Sequence, residues 1–168
     1  PPGVDRCRKT LSHGDIQTLI RNNLADDRDP QAEIFARHIS DLKGAGAEVA
    51  ALTSLGAHYC FDELAAISPL PLISAVTPLD AHFAEAGVSC VGLLGTRVVM
   101  RTRLYGQLQR TRAVALDDEI ETLGQAYQEV AVAGHCDAAR RALFLDAGQR
   151  MVTDLGAEAI VLAGTDLN

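Results

Sequence analysis

Apolar positions in this chain follow two spacings in turn, one helical and one strand-like. Asp29-Pro30 reads as a helix cap with proline at the first helical position. From there Ile34, Phe35, His38, Ile39 and Leu42 recur at helical spacing until Gly44 and Gly46 end the run. Val49-Ala50-Ala51-Leu52-Thr53 is apolar but too short for a helix, as buried parallel strands are. The alternation continues with a helix over 58–67 stopped by Ser68-Pro69, a strand over 72–76, a short helix from Thr77-Pro78 to Gly87, and a strand over 89–94. Past the Gly95-Thr96 turn the pattern predicts one helix over 98–110 and a weak strand over 113–116. Helices over 118–132 and 137–155, split by Gly134, and a last strand over 159–163 follow. Strands separated by helical stretches mean βαβ units, so the predicted class is α/β with a mainly parallel sheet.

Composition narrows what such a fold would do. The 168 residues suit one domain or two small lobes, and 48% apolar with 22% charged residues is an ordinary globular balance. Fifteen basic against 22 acidic residues, no Trp, three Tyr and four Phe argue against a nucleic-acid surface, which needs clustered positive charge and stacking rings. No apolar run approaches membrane-spanning length, and no charged-then-apolar leader opens the chain, so neither membrane nor secretory signal is expected. Cys7, Cys60, Cys90 and Cys136 form no C-x-x-C pair, and the histidines complete no zinc spacing. Reduced thiols in a cytoplasmic protein, with no metal, are the expectation. The opening Pro1-Pro2-Gly3 without Met, and the close at Leu167-Asn168 just after a strand-like run, suggest incomplete ends.

An internal repeat adds more. Gly46-Ala47-Glu48-Val49-Ala50-Ala51-Leu52-Thr53-Ser54 aligns with Gly156-Ala157-Glu158-Ala159-Ile160-Val161-Leu162-Ala163-Gly164, and each copy follows an amphipathic helix. Two similar α/β lobes follow, 1–88 and 89–168, related by a pseudo-twofold with a cleft between them. Convergence is the alternative, since a Gly-Ala turn into an apolar strand is common. If the repeat holds, loops 54–58 and 164–166 occupy equivalent places beyond the carboxyl ends of strands, where ligands sit in open parallel sheets.

Four segments, in order, resemble the aspartate/glutamate racemase superfamily. Ala51-Leu52-Thr53-Ser54-Leu55-Gly56-Ala57-His58 stands where that family has a strand entering a C-N-T-x-H loop. Cys60 to Leu64 with Ile67 to Ser74 is similar to its N-T-P-H branch. Val91-Gly92-Leu93-Leu94-Gly95-Thr96-Arg97-Val98-Val99-Met100 followed by Tyr105 resembles its V-G-L-L-G-T-x-x-T-M…Y segment, the most specific match. Leu162-Ala163-Gly164-Thr165-Asp166-Leu167 is similar to the closing L-G-C-T-E-L, or to the G-G-T-E/D-L of a cysteine-poor branch.

The resemblance implies proton transfer at the α-carbon of a small carboxylate or amino acid, without a cofactor. Such chemistry needs acid/base groups on both faces of a planar carbanion and donors to its carboxylate. In the family these groups are two cysteines, and here Ser54 and Gly164 stand in their places. Leu55, Gly56 and Val99 replace further polar positions, and Ala133 replaces a lysine. The expected catalytic candidates are therefore Ser54, His58, Thr165 and Asp166. Gly56, Gly95, Thr96, Arg97 and Gly164 are the expected substrate-binding positions, with Thr96 and the N–H groups that follow it forming an anion turn. His58 reads equally as a helix-start histidine bonded to backbone. Arg101, Arg103, Arg110 and Arg112, expected on one helix and followed by Asp117, Asp118, Glu119 and Glu121, form either a solvated paired face or a homodimer contact. Two functions stay open: a racemase-family enzyme or related isomerase or lyase, and a racemase-like binding or regulatory module without catalysis.

Overall fold

Short apolar strands linked through helices leave parallel pairing as the accessible arrangement, and in the computed structural model every strand pairing among the described residues is parallel. The structure describes residues 9–167; Cys7, the opening Pro1-Pro2-Gly3 and Asn168 lie outside the described residues. Packing groups the chain into two compact units, one running to Ala51 and including Cys60–Ile73, the other made of Leu52–Tyr59 and the chain from Ser74 onward. Each holds one sheet. Residues 52–59 and 74–88, which the repeat assigns to the first half, pack with the second unit.

In the first unit, helix α1 (Ile16–Ala25) starts where the Asp15 carboxylate accepts the Thr18 N–H at 2.9 Å and ends at Asp26, in the left-handed region at φ 54°. Helix α1 goes beyond the sequence reading, which began its elements at Asp29. Helix α2 (Arg28–Gly44) begins two residues earlier than expected, leaving Pro30 in a first turn where its missing N–H costs nothing. Asn22 of α1 donates to Gln31 of α2 at 2.9 Å, so both amides are buried with a partner. Strand β1 (Ala50–Ala51), helix α3 (Phe61–Ile67) and strand β2 (Leu72–Ile73) complete the unit, with Ala50 opposite Leu72.

The second unit is built on strand β3 (Cys90–Gly95), buried along its whole length. Neighbouring strands β4 (Arg112–Val114) and β5 (Ala159–Ala163) flank it in the order β4-β3-β5. Alternate side chains of a strand point to opposite faces, and the continuous apolar run suits a strand covered on both. Helices α4 (Thr77–Glu85), α6 (Ile120–Ala133) and α7 (Ala138–Leu155) supply core partners such as Leu123 and Met151. Among the described residues no helix is long and apolar enough to cross a membrane.

One expectation is overturned here. The helix after Gly95-Thr96 does not run to residue 110; α5 stops at Arg101 (Arg97–Arg101). Arg103, Leu104 and Tyr105 then take positive φ of 54°, 56° and 60°. Left-handed backbone is unfavourable for such residues, and burial offsets it: Leu104 is fully buried, and the Tyr105 hydroxyl donates to the Leu55 carbonyl at 2.9 Å. The arginines consequently do not share a helix. Arg101 closes α5, Arg103 lies in the turn, Arg110 precedes β4 and Arg112 is on it.

Asp80 of α4 ties this segment down. Its carboxylate accepts the N–H groups of Gln109, Arg110 and Thr111 at 3.0–3.1 Å. Desolvation works to raise its pKa, but these donors together outweigh it and hold the carboxyl below the ordinary range. A depressed carboxylate stabilises the fold above its unfolded pKa of about 4, and that contribution fades as pH falls through the lower folded value. Asp80→Ala should therefore lower the unfolding temperature at pH 7, with the gap from wild type narrowing on acidification below about pH 4; thermal melts across pH measure it.

Candidate active site

Beyond β1 the chain passes Ser54, which is exposed, into a 3₁₀ turn at Leu55–Cys60. The Ser54 carbonyl accepts the Ala57 N–H at 3.1 Å and lies 2.9 Å from His58 Nδ1. Ala75 donates its N–H to His58 Nε2 at 3.0 Å. Since Nε2 accepts, Nδ1 carries the hydrogen and donates to Ser54, so the imidazole is neutral. Burial lowers the His58 pKa, in keeping with this tautomer. The imidazole fastens the 54–58 loop to the backbone at Ala75. Cys60 follows, fully buried in the other unit; burial first, then the charge of Glu63, push its thiol up to about 12, too high for a ready nucleophile.

This loop lies beside the Gly95-Thr96 turn. A methyl group at Gly56 would lie 3.9 Å from Thr96 Cγ2 and 3.5 Å from Ser54 Oγ. Thr96 caps α5, its Oγ1 accepting the Val99 N–H at 3.2 Å, which leaves the hydroxyl hydrogen to donate elsewhere. The Arg97 side chain turns to α6 and donates to Glu121 at 3.0 Å, Gln125 at 2.6 Å and Gln128 at 3.1 Å. Gly124 makes this approach possible, since a methyl there would come within 2.3 Å of Arg97 Cγ and 3.2 Å of its backbone nitrogen.

At Gly95, β3 and β5 run close together; a methyl there would meet the Ala163 carbonyl oxygen at 2.9 Å. Gly164 and a 3₁₀ turn over Thr165–Leu167 follow. The Thr165 side chain is outside the described ones, so only its backbone position is fixed. Asp166 is exposed and accepts the Tyr127 hydroxyl at 3.1 Å. A methyl on Gly164 would lie 2.2 Å from the Tyr127 oxygen, 2.5 Å from Cε2 and 2.6 Å from Cζ. The phenol occupies the volume a side chain at 164 would fill. Gly56 thus neighbours Thr96, Ala163 neighbours Gly95, and the Gly164 turn that follows β5 carries Asp166 against Tyr127, all within the second unit.

Tyr127 escaped the sequence reading. It lies on the helix expected over 118–132, beside the buried stripe of Leu123, Ala126 and Val130, and no motif in the sequence singles it out. The glycine at 164 was the available signal, because a missing side chain invites a neighbour into its volume. Part of the arginine and acid run pairs within the chain, Arg101 with Glu121 and Arg103 with Asp117 at 2.7 Å, while Glu119 meets Arg150 of α7 at 2.6 Å and Arg112 donates to the Leu155 carbonyl at 2.8 Å. Among the described residues no cluster of three metal-binding side chains occurs. His135 meets the Ala133 carbonyl, and Asp137 caps α7.

The chain belongs to the Asp/Glu/Hydantoin racemase family, whose model matches residues 10–168. Solved structures share the fold. A Yersinia pestis protein whose assignment as an Asp/Glu racemase is itself provisional superposes with a TM-score of 0.81 at 22% identity, over 99% of this chain and 74% of its own. An aspartate racemase homologue from Pyrococcus horikoshii OT3 gives 0.74 at 21% identity, over 94% and 70%. No curated protein matches the chain.

Two tests follow from this geometry. A histidine whose folded pKa is depressed stabilises the protein above its unfolded pKa of about 6.5, and that stabilisation is lost as pH falls through the folded value. Unfolding temperatures should drop between pH 7.5 and 5, and less steeply in His58→Asn. Gly164→Ala should destabilise by about 1–3 kcal/mol through overpacking against Tyr127. In a Tyr127→Ala background the same change should be close to neutral, a coupling that a denaturant double-mutant cycle reads directly.

Proposed function

We propose that the site binds a small carboxylate of the aspartate or glutamate type and interconverts its enantiomers by cofactor-independent proton transfer at the α-carbon. One observation carries this reading. Both segments that should bear the proton-transfer groups adjoin a single turn, Gly56 beside Thr96 and Ala163, the residue before Gly164, beside Gly95. Ligands gather at the carboxyl ends of parallel strands, and β3 and β5 both end here.

The roles divide by chemistry. Thr96 donates its hydroxyl hydrogen to the substrate carboxylate, while its oxygen stays engaged as the α5 cap. Gly56 and Gly95 keep the turn narrow enough for the substrate to lie against backbone. Arg97 contributes by holding α5 to α6, not by reaching the substrate with its guanidinium. Ser54 serves one face; a serine hydroxyl is a weak base unless activated, so turnover should be slow. Asp166, with Thr165 beside it, serves the other face. His58 is a positioning residue that fixes the Ser54 loop. The repeat halves 1–88 and 89–168 belong to the same reading, as the source of two loops in equivalent places.

Chiral chromatography of L- and D-aspartate and L- and D-glutamate after incubation with the protein tests this. Interconversion of at least one pair, abolished by Thr96→Val together with Ser54→Ala, is the expected result. No interconversion of any of the four would overturn the reading; calorimetric binding of small dicarboxylates without turnover would instead identify a binding module. Sedimentation of the same sample reads whether the protein is a homodimer.

A further inference from the structure

We propose that Tyr127 is the proton donor on the substrate face where Gly164 offers no side chain, with Asp166 restoring its proton. The inference rests on the racemase reading above and refines it: Asp166, given the second face there, acts through the Tyr127 hydroxyl it bonds and does not itself reach the α-carbon. Racemisation requires a titratable hydrogen on each face of the carbanion, and glycine supplies none. The structure puts a phenol in the vacated volume, its oxygen 2.2 Å from where a Cβ of residue 164 would stand. A hydroxyl there sits close to where the side chain of a longer residue at 164 would begin. It is also hydrogen-bonded to an exposed carboxylate, Asp166, at 3.1 Å. Tyr127 itself is only half-buried.

The step balances with solvent water as the proton source. A base on the Ser54 side takes the α-hydrogen, and the C–H electron pair moves into the carboxylate-stabilised carbanion. That pair then takes the hydrogen of the Tyr127 O–H, forming a C–H bond of inverted configuration and leaving a phenolate. A solvent proton reaches the phenolate through Asp166 and re-forms the O–H, while the first base releases its proton to water. Burial, then the neighbouring Asp166 charge and hydrogen bond, raise the Tyr127 pKa, so the phenol is a weak acid that yields its hydrogen only to a much stronger base such as the carbanion.

Tyr127→Phe keeps the ring and removes only the hydroxyl. In D₂O, proton NMR follows exchange of the α-hydrogen, and chiral chromatography of the same samples follows inversion. The expected result is inversion slowed by about 10²–10⁴-fold, the usual size of a general-acid contribution. Exchange with retention should persist for the one enantiomer whose hydrogen faces the Ser54 side. Loss of exchange and inversion together would assign Tyr127 a structural role and overturn the proposal, as would inversion at the wild-type rate. Wild-type protein that neither exchanges nor inverts any substrate would remove the racemase reading itself, and this proposal with it. As a second variant, Tyr127→Ala with Gly164→Cys clears the ring and places a thiol in the same volume. Recovery of inversion above the Tyr127→Ala level is expected, and no recovery in a protein with wild-type circular dichroism counts against the proposal.

Discussion

Parallel pairing of β3 with β5 is the constraint on which the candidate site depends. Two parallel strands in register end at the same edge of a sheet, so Gly95 and Ala163 finish side by side. Whatever follows each strand must begin in the same place. Strand β3 can serve as that anchor because it is buried on both faces and has a neighbour on either side. The loop at 54–58 is then brought to the same edge by two polar tethers, His58 to the Ala75 backbone and Tyr105 to the Leu55 carbonyl.

Much of the fold was legible because apolar runs of strand length and stripes at helical spacing are local signals. The runs at 89–94 and 159–163 hold strands of nearly that length, those at 49–53 and 72–76 hold two paired residues each, and the stripe from Ile34 to Leu42 lies on a helix. The residues after α5 were illegible for a tertiary reason. Nothing local in Thr102-Arg103-Leu104-Tyr105 announces left-handed backbone; the turn exists because Leu104 and Tyr105 have partners that only the folded chain provides. Asp80 is similar, since its three backbone donors lie about thirty residues away in sequence.

The candidate site divides along the same line. Resemblance supplied Ser54, Gly95-Thr96 and Gly164-Asp166, whose positions are carried by sequence motifs. It left the state of His58 open, and the hydrogen bonds on both ring nitrogens supply it. Arg97 shows the opposite limit. It stands within the matching motif, but its side chain is committed to Glu121, Gln125 and Gln128, so motif position alone does not tell where a long side chain goes.

Helix α6 has two sets of attachments, interleaved along residues 121–128. It holds Arg97 through three polar side chains and a glycine contact, and it carries Tyr127 over Gly164. A rigid rod joined to both the Gly95-Thr96 turn and the ring above the second loop couples them mechanically. Rolling the rod to widen one would shift the other, so selection for a bulkier ligand would have to act on side-chain size around the rod, with its orientation held fixed.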